Sequence, residues 1–189
     1  MLKSIDPQIV TPIFTSLIED LITTKGGLVP TKPFDAVAKP IDVYEGRMRV
    51  HSNDKFDVPT YVAATNFYLN QGDMQAHRAR GAMIMYMDIE VADKLFKAAG
   101  LQVPFDEDDG SMEVLCGQLC QLIIDGFKER LTAAGFVSLE ASVPIVYKNT
   151  ILDGVVYSKD QNEKQELSFY FLKHKALVID WTLAPIPKK

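Results

Sequence analysis

The run Ala82–Met87, AMIMYM, is apolar at every position. A strand with one solvated face alternates apolar and polar residues. A strand without a polar face has to be covered on both sides. The segment just before it, TYVAATNFYL from Thr60, is rich in β-branched and aromatic residues and also reads as strand. NQGD follows as a turn, and MQAHRARGAMIMYMD, from Met74, then supplies the second strand, of which AMIMYM is the second half. These features predict a pair of neighbouring antiparallel strands inside a sheet with something packed on each face.

The rest of the chain supplies the cover. A helix is expected over Pro12–Thr24, with Thr11 as N-cap, Ile13, Leu17, Ile18 and Leu21 as its stripe, and Gly26-Gly27 as its stop. The three prolines of LVPTKPFDAVAKPID make that stretch extended or irregular. A second helix fits Ile89–Ala99, closed by Gly100. The longest runs over Ser111–Ala133 and ends at Gly135, with Ser111 or Asp109 as its cap. FVSLEASVPIVYKN follows. ILDGVVYSKD and ELSFYFLKHKALVIDWTLAP then read as strands around the polar turn KDQNEKQ. This order lacks the strict βαβ alternation of a doubly wound fold. It implies an α+β class: a mostly antiparallel sheet with a long helix and further helices packed on it.

At 189 residues, one domain spanning 1–189 is the expectation. A net charge of −5 and a pI of about 5.2 argue against a nucleic-acid partner. No run reaches the roughly 18 apolar residues that span a bilayer, so no membrane role is expected. MLKSIDPQIV lacks the apolar run of a secretory leader, which leaves the cytoplasm as the expected compartment. Cys116 and Cys120 lie four apart on one helix and read as buried small hydrophobes. The acidic run Asp106–Asp109 lacks the alternating ligand spacing and trailing glutamate of a calcium loop. It reads as a solvated loop favouring the following helix N-terminus, and no metal site is expected. His51, His77 and His174 are scattered and belong to no nucleophile motif. His77, Arg78 and Arg80 read as solvated charges that could meet an acidic partner.

Winding Ser111–Ala133 at 100° per residue puts Met112, Leu115, Cys116, Leu119, Ile123 and Phe127 on one face. Gly117, Gln118, Gln121, Asp125 and Glu129 run opposite, with Val114 in line. By spacing alone this polar stripe is a solvated helix face.

GQLCQLI, the helix end and then SVPIV together resemble the signature of the CheX/CheC family of chemotaxis phosphatases. There a helix carries an acidic or serine residue, then a Gly-Glu step, then Asn three further on, and a proline follows after a fixed gap. Here Val114 stands at the leading position, Gly117 at the glycine, Gln118 at the Glu and Gln121 at the Asn. Twenty-two residues separate Gln121 from Pro144, which keeps the gap. TPIFTSLIEDLI, MIMYMDIEVADKLF and the acidic loop extend the resemblance over most of the chain.

The resemblance implies hydrolysis of the aspartyl phosphate on a response-regulator receiver domain. The receiver would supply the Mg, and the chain would need no cofactor of its own. Gln121 would orient the attacking water in place of Asn, with the same carboxamide on a longer arm. Gln118 would dock against the receiver's lysine without the Glu charge. Asp125 and Glu129 could restore that charge one or two turns along, with Gly117 and Pro144 at the contact. Three readings stay open: an altered phosphatase, a non-catalytic receiver-binding module, and a structural or sensory module that shares the fold. A homodimer through sheet edges is also implied.

Overall fold

In a computed structural model describing residues 5–106, 108–148 and 154–189, Asp6 starts the first helix. Its carboxylate accepts from the Gln8 amide at 2.9 Å, and Pro7 takes the first helical position. Helix α1 therefore spans Pro7–Ile18, starting earlier than expected from Thr11 and Pro12. Pro12 lies inside it, where it removes one backbone hydrogen bond. The helix continues as a π-helical turn over Glu19–Thr24, so its C-terminal end falls where the sequence placed it.

The proline-rich stretch yields β1 (Asp35–Pro40), an edge strand, where missing amide donors do no harm. A small hairpin follows, β2 (Val43–Tyr44) and β3 (Arg47–Met48). Its turn residues Glu45 and Gly46 have φ of 49° and 75°, as a tight two-residue hairpin turn requires. Then come β4 (Thr60–Tyr68), the short helix α2 (Gln71–Gln75) and β5 (Gly81–Asp88). The expected strand start at Met74 is thus wrong. Asn70 accepts from the Asp73 amide and caps a single helical turn there, and pairing begins only at Gly81. Helix α3 (Ala92–Ala98) is shorter than expected. Helix α4 (Asp109–Ala133) is the longest. Its N-cap is Asp108, which accepts from Ser111 N at 2.7 Å, so neither Ser111 nor Asp109 has that role. Four short or long strands complete the chain: β6 (Glu140–Ala141), β7 (Ile145–Lys148), β8 (Glu163–Phe171) and β9 (His174–Leu183).

The C-terminal pairing also differs from expectation. ELSFYFLKHKALVIDWTLAP is two strands, β8 and β9, turning at Leu172 and Lys173 with φ of 53° and 70°. That left-handed turn carries no glycine or asparagine to announce it. KDQNEKQ leads into β8 and joins no hairpin, and within the described part of the preceding segment Val155 makes only an isolated bridge to Met48. Glu107, residues 1–4 and residues 149–153, on which parts of these expectations fall, lie outside the described residues.

All pairings within the main sheet are antiparallel, in the order β1-β8-β9-β5-β4-β6, with β7 also paired to β4. Strand β5 is buried along its whole length, as AMIMYM demanded. Met83, Met85 and Met87 face α1, α3 and α4 in the larger apolar cluster. Ala82, Ile84 and Tyr86 face the other way, against Met48, Val50 and Phe56.

Candidate functional site

Helix α4 lies on the sheet through Leu115, Leu119, Ile123 and Phe127, all buried. Phe127 stacks on Phe14 of α1 with ring centroids 4.4 Å apart. Two glycines let neighbours come close. A Cβ at Gly126 would meet Leu17 Cδ1 of α1 at 2.5 Å, and one at Gly117 would meet Val146 Cγ2 of β7 at 3.3 Å. The N-terminal end of α4 is held by Asp109, whose carboxylate accepts from Lys148 Nζ at 2.7 Å and from Tyr61 Oη at 3.5 Å. Burial and then the neighbouring Asp109 charge push the Tyr61 phenol up to about 12, so it stays a donor. Helix α4 is thereby registered against β4 and β7 at its start and against α1 further along.

The polar stripe points to solvent. Gln118, Asp125 and Glu129 are exposed and Gln121 is half-buried. Gln121 Nε2 donates to Asp125 Oδ1 at 2.9 Å. The oxygen of the same amide, Oε1, is a hydrogen-bond acceptor. Asp125, proposed by position as a charge for a partner, thus holds the neighbouring carboxamide. The signal was present in the sequence, since Gln and Asp four apart pair on helices. Glu129 lies two turns beyond Gln121, about 12 Å along the helix axis.

Pro144 ends the gap between β6 and β7, so β7 begins directly after it and runs under Gly117. Strand β7 thus lies against α4 at Gly117 and Val146. Val114 and Leu122 of α4, and Val143 and Ile145 on either side of Pro144, are exposed apolar side chains. Sequence reasoning named only Val114 among these four, because exposure of single apolar residues leaves no periodic mark. It also missed the Asp109 clamp, whose partners are 48 and 39 residues away.

Cys116 and Cys120 are free and buried. Burial, with a smaller contribution from Glu113, pushes the Cys116 thiol up to about 12, and burial raises Cys120 well above its ordinary value. Neither is a nucleophile. Among the described residues no group of His, Cys, Asp and Glu is arranged to hold a metal ion. No described helix is long and apolar enough to cross a membrane.

No family model matches the chain, and no curated protein sequence matches it. Solved structures do. A CheC-like superfamily protein from Shewanella sp. PV-4 superposes with a TM-score of 0.56 at 14% identity, covering 93% of this chain and 97% of that one. The chemotaxis protein CheX from Desulfovibrio desulfuricans gives 0.56 at 13% identity, covering 92% and 98%. The chain in a CheX–CheY–BeF3–Mg complex from Borrelia burgdorferi gives 0.51 at 13% identity, covering 93% and 98%. With near-complete coverage in both directions, the fold of this chain is that of the CheX/CheC-like chemotaxis proteins.

Proposed function

We propose that the chain binds the receiver domain of a response regulator through the exposed face of α4 and hydrolyses its aspartyl phosphate. The observation that carries this reading is the fixed carboxamide of Gln121. Its NH2 group donates to Asp125, which holds the carboxamide on the helix face where a receiver would dock and leaves its oxygen as an acceptor. Such an oxygen can accept a hydrogen bond from water and aim it in line with the phosphorus, as glutamine does in other phosphoryl hydrolyses. The receiver supplies the Mg and most of the phosphate electrostatics. Gln118, exposed one turn before Gln121, meets the receiver's lysine as a neutral acceptor. Val114, Leu122 and Val143 give the contact its apolar margin.

One substitution tests the reading. Gln121→Ala should reduce dephosphorylation of a phosphorylated receiver domain by at least about a hundredfold with little change in its binding, because the lost interaction forms mainly in the transition state. An unchanged rate would remove α4 as the active element. The second reading is a docking module without chemistry. The absence of charge at Gln118 favours it, since an amide offers a lysine about half the hydrogen-bond strength of a carboxylate. It predicts receiver binding with no hydrolysis by the wild-type chain.

Association of two copies through a sheet edge belongs to the same proposal. Strands β1 and β7 leave backbone groups on the rims of the sheet. Light scattering over a wide concentration range should give the mass of a dimer, and a constant monomer mass would refute it.

A further inference from the structure

The two faces of β7 have different neighbours. Val146 lies under Gly117 of α4. Ile145 and Tyr147, one position to either side, line a groove of about 370 Å³ on the sheet face opposite α4. Tyr68 of β4 joins them, with Met74 and His77 from the end of α2 and Arg47 from β3. Ser142, which also lines the groove, is tied to β4: its amide donates to Asn66 O at 3.0 Å, and its hydroxyl accepts from Asn66 N at 2.9 Å. Met48, next to Arg47, is fully buried and exchanges two backbone bonds with Val155, at 2.9 and 2.8 Å. The groove is therefore built before any ligand arrives, and its size falls within the range of small-molecule sites.

Its chemistry sets the class of occupant. Tyr68 is 5% exposed. Burial raises its phenol above the ordinary value, so it stays protonated and remains a donor. Its hydroxyl has no hydrogen-bond partner among the described residues, yet it is not sealed in as the Tyr86 hydroxyl is, so a molecule in the groove can reach it. Neither Arg47 nor His77 has a side-chain partner among the described residues. No described Asp or Glu lines the groove, in a chain whose net charge is −5. Unmet donors and positive charge without a carboxylate suit an anion, and a guanidinium matches the planar fork of a carboxylate or the oxygens of a phosphate. Tyr147 and Met74 offer a ring face and a polarizable thioether, both of which favour an aromatic neighbour.

We propose that this groove binds a small organic anion built on an aromatic ring, its carboxylate or phosphate held by Arg47 and the Tyr68 hydroxyl and its ring lying against Tyr147 and Met74. The sheet separates this site from the glutamine face of α4, and it does not depend on receiver binding.

Benzoate, phenyl phosphate and neutral benzamide serve as probes, titrated into the full chain and followed by amide resonances. At least one of the two anions should shift Tyr68, Ser142 and Tyr147 saturably, and benzamide should bind at least about tenfold more weakly. Arg47→Gln removes the charge and should weaken the anion about ten- to hundredfold. Tyr68→Phe keeps the ring and removes the hydroxyl, so it should weaken the anion about three- to tenfold. That variant should melt no lower than wild type, since it loses only a group without a protein partner. Absence of saturable shifts with both anions would overturn the proposal. So would equal affinity for benzamide, or unchanged anion affinity in Arg47→Gln. Inorganic phosphate and acetate binding as tightly as the ring-bearing anions would overturn it as well, because the ring would then contribute nothing.

Discussion

On one face of β5, Met83, Met85 and Met87 meet helices in the larger apolar cluster, with Phe14, Phe67 and Phe127 in ring contact. On the other face, Ile84 has Asp180 as its cross-strand neighbour, and beyond Asp180 come Glu166 and then β1. Asp180 is fully buried. It accepts from Lys55 Nζ at 3.1 Å and also pairs with Lys164, while Glu166 pairs with Lys55 and with Lys39, the latter at 2.8 Å. Lys55 Nζ further lies 5.1 Å from the centre of the Tyr86 ring. Burial, then the Asp180 charge, raises the Tyr86 phenol well above its ordinary value. The same sheet is thus sealed by hydrocarbon on one side and partly by paired charge on the other. Helices bring long apolar stripes that match a flat sheet. The second face is covered by short pieces, the β2–β3 hairpin and the loop carrying Lys55, which bring few apolar side chains. Paired lysines and carboxylates fill the remaining area, and their mutual pairing is a condition of their burial.

The difference can be broken most sharply at Asp180. Asp180→Ala strands Lys55 and Lys164 without this counter-charge and should cost about 3–5 kcal/mol in urea unfolding. Met85→Ala on the helix side should cost about 2–5 kcal/mol, with a loss that does not vary between pH 5 and 8. Replacing Lys55, Lys164, Glu166 and Asp180 together by apolar residues of similar volume should restore stability to the wild-type level or above. If the quadruple variant is as weak as Asp180→Ala, the charges are not interchangeable with hydrocarbon here.

A smaller effect follows from Glu166. Burial pushes its carboxyl up, but the hydrogen bonds and charges of Lys39 and Lys55 outweigh it and hold the group below its ordinary value of 4.5. A depressed carboxyl contributes stability that is fully present above that ordinary value and is lost as pH falls through the folded one. Urea midpoints should therefore hold steady above about pH 5 and fall below it. Glu166→Gln should flatten that acid limb. An unaltered limb would place the acid sensitivity elsewhere.

The smallest expected change in stability is at the surface of α4. Gln118→Glu should alter unfolding by no more than about 0.5 kcal/mol, while tightening receiver binding by restoring a charge. Calorimetry with a phosphorylation-mimicking receiver reads the second effect, and equal or weaker binding would count against docking through Gln118.

Much of this was legible in the sequence, and the parts that were not share a cause. AMIMYM announced its doubly covered strand because burial on both faces leaves no polar residue to hide the pattern. Helix α4 announced its inner face by period, with Leu115, Leu119, Ile123 and Phe127 all buried. The charged cluster left no such mark. Lys164 and Glu166 sit in the polar run EKQE, and Asp180 alternates with Ile179 and Trp181 as a solvated strand residue does, while Lys55 reaches Glu166 and Asp180 across 111 and 125 positions. Local errors arose where two signals competed. Asp6-Pro7 and Thr11-Pro12 both look like helix starts, and the earlier one wins because the intervening Ile9 and Val10 already fit the buried stripe. The acidic run offered several caps in a row, and Asp108 has the extended backbone that a cap needs, while Asp109 is already helical.

The strand order has a consequence for how the chain comes to be folded. Strand β9 joins the two halves of the sheet, pairing β8 on one side and β5 on the other, and every other strand precedes it in the chain. During synthesis β4 and β5 can form their hairpin early, yet the inner rim of β5 stays open until residues 177–183, nearly a hundred positions later, emerge to fill it. Such distant pairing delays completion of a sheet and leaves an apolar rim exposed meanwhile. The nascent chain is therefore most vulnerable to wrong partners in the interval between Asp88 and Leu183. Substitutions that slow the β8–β9 turn at Leu172-Lys173 would lengthen that interval without touching a single contact of the finished core.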